Sequence, residues 1–518
     1  MVALSPCARP RYDSGVDARI FREYDIRGVA DRDLDDVTVR AIGRAIGQRA
    51  GGAVVVGRDC RLTSPRLFSQ LTDGIRVHAE VIDVGVVPTP LVYFAAHHLA
   101  PAAAVMITGS HNPPEDNGFK IVMGTETLYG AAIAELRDRV AELRSEPAPP
   151  PAKAMHSRDV IGTYHQHAEE RLQLGARRPR VVVDAGNGVG GPTAVGLYRR
   201  LGFDVVPLFC ELDGRFPNHH PDPTQPANLA ALMAAVKREG ADVGLALDGD
   251  ADRLGAVDSN GRILWGDQLM ILLGRAVLAE VPRAKFVGEV KCSQVMYDEL
   301  AKAGGEVEMW KVGHSLIKAR MKETGAQLAG EMSGHLFFAH RWFGFDDAIY
   351  SGARLLELLS RQAHRLAELT RELPVMNNTP ELRVPCEDER KFAVVAEVTA
   401  RLRQDPAVRS VVDIDGARAS FDGGWGLVRA SNTQPVLVMR CEAATAARLA
   451  EIRAVIDAHV EAARAAVPVA AAGKGAEGAE GAAAAAAEGA EVAAEPAAAA
   501  AEPAAAAAAA TEPEAAPP

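Results

Sequence analysis

Short apolar runs that break into a polar loop and then into a helical pattern recur along this chain, and that alternation limits the folds open to it. Residues 53–57, 81–87 and 102–107 have the length and content of buried strands. Between the first two, residues 36–50 carry Val37, Val39, Ile42 and Ile46 at helical spacing. Ser64-Pro65 reads as an N-cap with a first-turn proline, opening a helix through Leu67, Phe68, Leu71 and Ile75. Pro88-Thr89-Pro90 reads as a stop, and residues 128–143 as a further helix. Strand, loop, helix and strand in this order specify βαβ units and a mostly parallel sheet. The pattern restarts at Arg180 and at Lys285. From Asn377 a smaller α+β unit follows, with a helix over 388–402, strands around Val411 and Phe421, and a last helix over 446–466 capped by Thr445.

Composition removes several classes. Six scattered cysteines without a Cys-x-x-Cys argue against a zinc site or a disulfide framework, and for a reducing cytoplasm. No apolar run approaches a membrane span, and the first ten residues lack the basic-then-apolar order of an export signal. Of the net charge of −11, the stretch from Pro468 onward carries eight glutamates against one lysine, leaving a nearly balanced body that does not suit non-specific nucleic-acid binding. That stretch is mostly Ala, Glu, Gly and Pro without an aromatic residue, and is expected to be disordered.

Four loops carry chemistry. The strand ending at Ile107 breaks at Thr108-Gly-Ser-His-Asn-Pro-Pro114, so Ser110 sits on a constrained loop at a strand end, where open α/β sheets collect ligands. A hydroxyl beside His111, with Lys120 ten residues on, suits phosphate chemistry; the plain alternative is a turn built of turn-forming residues. A second strand runs into Asp248-x-Asp250-x-Asp252. If the backbone stays extended, these carboxylates project to one side, and three of them together call for a hard cation, Mg²⁺ most readily. The spacing is not that of an EF-hand, which would need Gly at Arg253 and Glu at Ser259. Glu331, Ser333 and His335 lie on a short glycine-flanked loop whose polar groups could reach sugar hydroxyls, and His314 precedes a helix. Arg429-Ala-Ser-Asn-Thr-Gln-Pro435 offers a guanidinium, hydroxyls, an amide and free backbone N–H groups, a phosphate cradle. A rival signal is Gly186-x-Gly188-x-x-Gly191, a dinucleotide fingerprint followed by Glu211 at about the ribose distance; as a lone match it is weak. His219 and His220 read as structural.

Taken in order, Thr108-Gly-Ser-His-Asn-Pro113, Asp248-Gly-Asp-Ala-Asp-Arg253, Gly330-Glu-Met-Ser-Gly-His335 and Arg429-Ala-Ser-Asn-Thr433 make the chain resemble the phosphohexomutases, and among them the bacterial phosphomannomutase/phosphoglucomutase type, over about residues 17–466. The resemblance implies three related α/β domains with mixed, mostly parallel sheets and a smaller C-terminal α+β domain around one cleft, at 1–158, 159–262, 263–374 and 375–467, with the tail at 468–518. It implies a cytoplasmic, monomeric isomerase that interconverts hexose 1-phosphate and hexose 6-phosphate of mannose and glucose, with one Mg²⁺ and with glucose 1,6-bisphosphate as activator and intermediate. Its partners would be small sugar phosphates, with no nucleic acid and no membrane. Carried over by position, Ser110 is the phosphoserine and a metal ligand together with Asp248, Asp250 and Asp252. Arg27, Lys120 and His111 surround the transferred group. Glu331 and Ser333 read the sugar, Arg429, Ser431, Asn432 and Thr433 clamp the non-reacting phosphate, and Tyr24, Lys291, His314 and His335 are further cleft contacts. Ala251 and Gln434 depart from the commonest pattern, and the general base is not identified.

Overall fold

The structure is a computed structural model that describes residue 15 and residues 17–468. The expectation of a disordered tail falls, but for Pro468, outside the described residues. Strands Val54–Arg58, Val81–Val86 and Ala103–Ile107 pair in parallel in the first sheet; the first and the last are short runs buried almost throughout, as inner strands of a parallel sheet are, while Val81–Val86 is only partly buried. Two antiparallel strands, Asp116–Met123 and then Ile26–Val29, extend one side of it. The second sheet repeats the plan, with Val243–Leu247, Arg180–Asp184 and Asp204–Leu208 parallel and Leu254–Asp258 antiparallel at the side. So does the third, with Glu306–Trp310, Lys285–Glu289 and Leu328–Gly330 parallel and Leu336–Phe338 antiparallel. The fourth sheet is antiparallel throughout and contains Gly424–Ala430 paired with Val436–Ala443.

This plan puts every chemically loaded loop in one kind of seat. Residues 108–115, 248–253 and 331–335 are each the turn by which the last parallel strand of a sheet doubles back into its antiparallel neighbour. Residues 431–435 are the corresponding hairpin turn of the fourth sheet.

Two sequence expectations need correction. Pro88-Thr89-Pro90 does end strand Val81–Val86, but it also opens a helix, Thr89–His98, that the sequence did not suggest. Proline is tolerated in a first turn because its missing N–H has no intrahelical partner there. The helix is buried from Thr89 through Ala96, so it has no polar face and no periodicity to betray it. Its Phe94 meets Tyr164 edge-on at 5.5 Å and stacks over Trp342 at 6.2 Å. One apolar cluster thereby runs from the first α/β unit through Tyr198 to Phe286 and Tyr350. Ser64, for its part, is the first residue of helix Ser64–Ile75 and not its cap; Thr63 holds that place, and Ser64 Oγ donates to Asp59 Oδ1 at 2.5 Å. The final helix, Ala446–Ala466, runs as expected, with the Thr445 hydroxyl accepting from Arg448 N at 3.2 Å.

The C-terminal unit is fastened to the third sheet. Trp425 and Leu427 pack on Val290, and the buried Arg418 stacks on Trp425 at 3.8 Å while donating to the Cys292 carbonyl at 2.8 Å. Among the described residues no helix is long and apolar enough to cross a membrane.

Candidate active site

Ser110 is buried beneath a cleft that its neighbour His111 lines. Its Oγ donates to Asp248 Oδ2 at 2.8 Å, and His111 Nδ1 stands 3.1 Å from the same oxygen. Burial, with Arg253 and Arg27 close by, pushes the His111 imidazole well below its usual pKa, so it stays neutral. Ser110 adopts φ +50, a left-handed conformation that costs a residue with a Cβ about 1–2 kcal/mol. Arg27 reaches the loop through Asn112 Oδ1 at 3.0 Å and is paired with Asp25 Oδ2 at 2.6 Å.

Asp248, Asp250 and Asp252 converge with their side chains almost completely buried. They do so through a turn, not through the pleat of an extended strand: Ala251 stands at φ +59 and reverses the backbone between the second and third carboxylates. Lys120 enters the group from the first sheet, with Nζ 2.7 Å from Asp250 Oδ2 and 2.5 Å from Asp252 Oδ2. Burial opposes its charge, but the two carboxylates prevail and hold its pKa well above the ordinary value. One ammonium, bound to Asp250 and Asp252, does not satisfy all the oxygens of three carboxylates. Asp250 Oδ1 and Asp252 Oδ1 are buried without a hydrogen-bond donor, although His335 Nε2 passes 3.3 Å from the latter. Buried, unpartnered carboxylate oxygens are costly unless a cation satisfies them, so this donor set fits a hard divalent ion.

The glycine-rich turn serves the same loop. A Cβ on Gly188 would come within 2.7 Å of the Gly249 carbonyl oxygen, and one on Gly190 within 2.5 Å of the Ala251 Cβ. A Cβ on Gly191 would meet the Cys210 carbonyl at 2.5 Å. Gly188 and Gly190 let the acidic turn pack against the start of helix Gly190–Arg200, and Gly191 lets that helix approach the Cys210 backbone; protein occupies the space a pyrophosphate would need. His219 and His220 are structural, as expected: His219 Nε2 is 3.1 Å from Asp184, and His220 Nε2 bonds the His111 carbonyl.

The third loop forms the opposite wall. His335 Nδ1 contacts Glu331 Oε2 at 2.5 Å, while its Nε2 faces Asp252 Oδ1 at 3.3 Å and Arg253 Nε at 3.2 Å. Burial and Arg253 oppose protonation, but the two carboxylates outweigh them and raise the imidazole to about 9. Burial alone would raise Glu331; His335 overrides it and holds the carboxyl at about 2, with help from Lys291 and from the Gly313 N–H, which donates to Oε1 at 2.8 Å. Ser333 Oγ lies 3.4 Å from Glu331 Oε2. His314 opens helix His314–Thr324 and is kept neutral by burial and by Lys318 and Lys120.

The fourth loop faces these across the cleft. Arg429 Nε is braced by Asp415 Oδ2 at 3.1 Å, which also accepts from Val312 N at 2.9 Å. Ser431 Oγ accepts from the backbone N–H groups of Thr433 and Gln434 at 3.3 and 3.2 Å, tightening the turn. The Tyr24 hydroxyl accepts from Asn432 Nδ2 at 2.7 Å and donates to the Val312 carbonyl at 2.9 Å, so one side chain joins the first, third and fourth units. Lys291 Nζ stands 3.3 Å from Glu381 Oε2. The enclosed volume is about 850 Å³. Of the residues singled out from the sequence, Tyr24, Arg27, His111, Lys291, His314, Glu331, Ser333, His335, Arg429, Ser431 and Thr433 line it. Ser110, Lys120 and the three aspartates lie just beneath its surface, and Asn432 is turned to Tyr24.

Sequence reading missed Arg61, Arg383 and Arg440. The last two line the cleft, and Arg383 NH1 donates to Gln434 Oε1 at 2.7 Å, so the unusual glutamine anchors an arginine at the rim. Arginine in a strand or loop has no spacing that announces it.

Comparison with known proteins agrees with this geometry along the chain. The phosphoglucomutase/phosphomannomutase family models match unit by unit: alpha/beta/alpha domain I over residues 18–146, domain II over 163–261, domain III over 265–376 and the C-terminal domain over 381–459. A phosphomannomutase/phosphoglucomutase of Pseudomonas aeruginosa is 45% identical over 459 residues, covering 87% of this chain and 97% of the relative. A phosphoglucomutase of Neisseria gonorrhoeae is 45% identical over 441 residues, 84% of this chain and 95% of the relative. The crystal structure of a phosphoglucomutase/phosphomannomutase family protein from Burkholderia thailandensis superimposes with a TM-score of 0.80 at 42% identity, covering 88% of this chain and 99% of that one. With four loops of the same order meeting at one cleft and relatives matched almost end to end, the chain belongs to the phosphoglucomutase/phosphomannomutase family.

Proposed function

We propose that this chain is a phosphohexomutase, an isomerase that interconverts hexose 1-phosphate and hexose 6-phosphate of mannose and glucose through a phosphorylated Ser110. The observation that carries the reading is the 2.8 Å contact of Ser110 Oγ with Asp248 of the buried acidic trio, under a cleft that the Arg429 turn also lines. In the forward half-reaction the free sugar hydroxyl attacks the phosphorus of phosphoserine. The new O–P bond forms as the P–Oγ bond breaks, its electron pair goes to Ser110 Oγ, and the hydroxyl proton leaves to a base. The 1,6-bisphosphate turns over in the cleft, and the reverse step returns the other phosphoryl group to Ser110, with the proton restored to the sugar. The balance is a positional exchange, and no water is consumed.

Asp248, Asp250 and Asp252 would hold Mg²⁺, with phosphoserine as a further ligand; the ion would offset phosphate charge and polarise the transferring oxygens. Lys120, Arg27 and the neutral His111 surround the transferring group. Glu331 and Ser333 are in reach of sugar hydroxyls on the wall beside His335, His314, Lys291 and Tyr24. Arg429, Ser431, Asn432 and Thr433 grip the phosphate that is not reacting, and can grip either one because both are dianions. Glucose 1,6-bisphosphate serves as primer and intermediate. We read the chain as a cytoplasmic monomer acting on small sugar phosphates without nucleic acid or membrane, divided at 158, 262, 374 and 467.

Intact mass of the purified protein tests the covalent step: one added phosphate mapped to Ser110, discharged by excess hexose monophosphate, is expected. Ser110→Ala should lose turnover by orders of magnitude and still bind glucose 1-phosphate. Unchanged turnover in that variant sinks the assignment.

A further inference from the structure

Arg61 is among the most deeply buried side chains of the chain, 1% exposed, yet it touches none of the groups that would bind substrate or metal. Its guanidinium is spent on the backbone of the Ser110 loop. NH2 donates to the carbonyls of Ser110 at 2.8 Å and Asn112 at 2.7 Å, and NH1 to those of Pro113 at 2.5 Å and Asp116 at 2.9 Å. Four carbonyls of one turn thus converge on one planar cation. Asp59 fixes that cation from behind: its Oδ2 lies 3.3 Å from Arg61 Nε and accepts from Gly109 N at 3.2 Å, and its Oδ1 accepts from Arg61 N at 3.0 Å. The approach is so close that a Cβ on Gly109 would fall 2.5 Å from Arg61 Cζ. The second unit closes the far side, with the Phe216 ring 5.2 Å from the guanidinium carbon and Gly214 packed on the Arg61 backbone.

The Ser110 carbonyl is held from both sides. Arg61 binds it, and Gly249 of the acidic turn packs against it so tightly that a Cβ there would come within 2.3 Å. That carbonyl belongs to the residue at φ +50, whose left-handed backbone aims Oγ at Asp248. Such a conformation persists in a non-glycine residue only where its surroundings over-determine it.

We propose that Arg61 is a positioning residue: by gathering four carbonyls of the 108–116 turn it forces Ser110 into its left-handed conformation and so aligns Oγ with the acidic trio. The inference rests on the mutase reading for its kinetic part and on geometry alone for its structural part. Lysine can reach one or two of the carbonyls but cannot reproduce the planar fork, so Arg61→Lys should retain part of the effect and Arg61→Gln little.

The test measures both variants beside wild type. In crystal structures, Ser110 φ should leave the left-handed region in Arg61→Gln, and Oγ should lose its contact with Asp248. In steady-state assays with glucose 1-phosphate, kcat should fall by about 100-fold, the order expected for displacement of a reacting atom by about 1 Å. KM should stay within about twofold, because the cleft contacts are untouched, and Arg61→Lys should fall between. A merely structural arginine would lower kcat and thermal stability together and leave the kcat–KM split absent. If Arg61→Gln does not fold, Gly109→Ala, which crowds the guanidinium from its other face, carries the same expectations. Left-handed Ser110 in a well-folded variant, or an unchanged kcat with wild type active, overturns the proposal; a wild type without mutase activity overturns the functional reading and leaves the crystallographic arm to decide this one.

Discussion

Replacing Lys120 by methionine probes the charge balance at the acidic turn. The ammonium sits 2.7 Å from Asp250 Oδ2 and 2.5 Å from Asp252 Oδ2, with all three side chains buried. Methionine keeps much of the stem and removes the charge. Deleting one partner of a buried ion pair costs about 3–5 kcal/mol. Protonation sets a ceiling on that loss, since a carboxyl can take up a proton instead. Asp248 is the first candidate, because burial and then Asp252 and Asp250 already push it well above the ordinary carboxylate range. Holding that proton at pH 7 on a group that titrates near 3.9 when unfolded costs about 1.36 kcal/mol per pH unit, hence about 4 kcal/mol. The deficit of Lys120→Met in EDTA at pH 7 is therefore about 3–4 kcal/mol. The sign with pH follows from linkage. The folded variant keeps a proton that the unfolded chain releases above about pH 3.9, so its stability falls as pH rises from there to the raised folded value. Taking the buffer from pH 7 to pH 5 should recover much of the deficit relative to wild type.

Magnesium supplies the second arm. With the lysine's repulsion removed, the trio should bind Mg²⁺ more tightly, and ligand at 100 times its Kd stabilises a fold by about 2.7 kcal/mol. Thermal unfolding with EDTA and with Mg²⁺, at pH 5 and pH 7, reads all four quantities. The metal-induced rise in Tm should be larger in Lys120→Met than in wild type, and the deficit in EDTA should shrink at pH 5. Equal losses under all four conditions would refute the claim that Lys120 neutralises this cluster.

Three further outcomes follow from the geometry. Arg429→Ala would remove the proposed charged contact to phosphate, worth about 2–5 kcal/mol, and should raise KM far more than it lowers kcat; an unaltered KM would dismiss the clamp. Gly188→Ala drives a Cβ to 2.7 Å from the Gly249 oxygen and should cost about 1–3 kcal/mol in stability while weakening Mg²⁺ dependence of activity, whereas an NAD(P)H fluorescence titration of wild type should stay flat. Ala251→Gly relieves about 1–2 kcal/mol of left-handed strain but loses a buried methyl worth about 0.8 kcal/mol and gains unfolded-chain entropy worth about 0.4–1 kcal/mol, so calorimetry should find it nearly as stable as wild type; a large loss in either direction would contradict the reading of φ +59.

The parts of this site that were legible in the sequence share a cause. Asp248, Asp250, Asp252 and Ser110 each terminate an apolar run, and a cluster of polar residues at such a boundary has few structural uses. Thr445 and its helix were legible because capping and periodicity are local. What escaped was non-local or hidden by its own environment. Helix Thr89–His98 is apolar on all sides and begins with prolines, so it imitates a loop. Lys120 is ten residues from Ser110 in sequence, but its partners lie on another sheet, and nothing local says that it will sit among three acids. The convergence of those acids depends on one positive φ at Ala251, where the pleat of a strand would have given a different geometry. Arg61 binds carbonyl oxygens, which every residue has, so its role leaves no mark on the residue types around it.

The common seat of the reactive turns bears on how such a protein diversifies. Each turn is spelled between two strands that pack by their own apolar faces, so on the proposed reading a substitution at Ser333 would retune which hydroxyl is recognised and leave the turns at 108–115 and 248–253 as they are, whereas His335, which reaches Asp252 and Arg253, ties its turn to the acidic one. Selection could thus edit one task at a time, in separate short words of the chain, while the scaffold between them is left as it was.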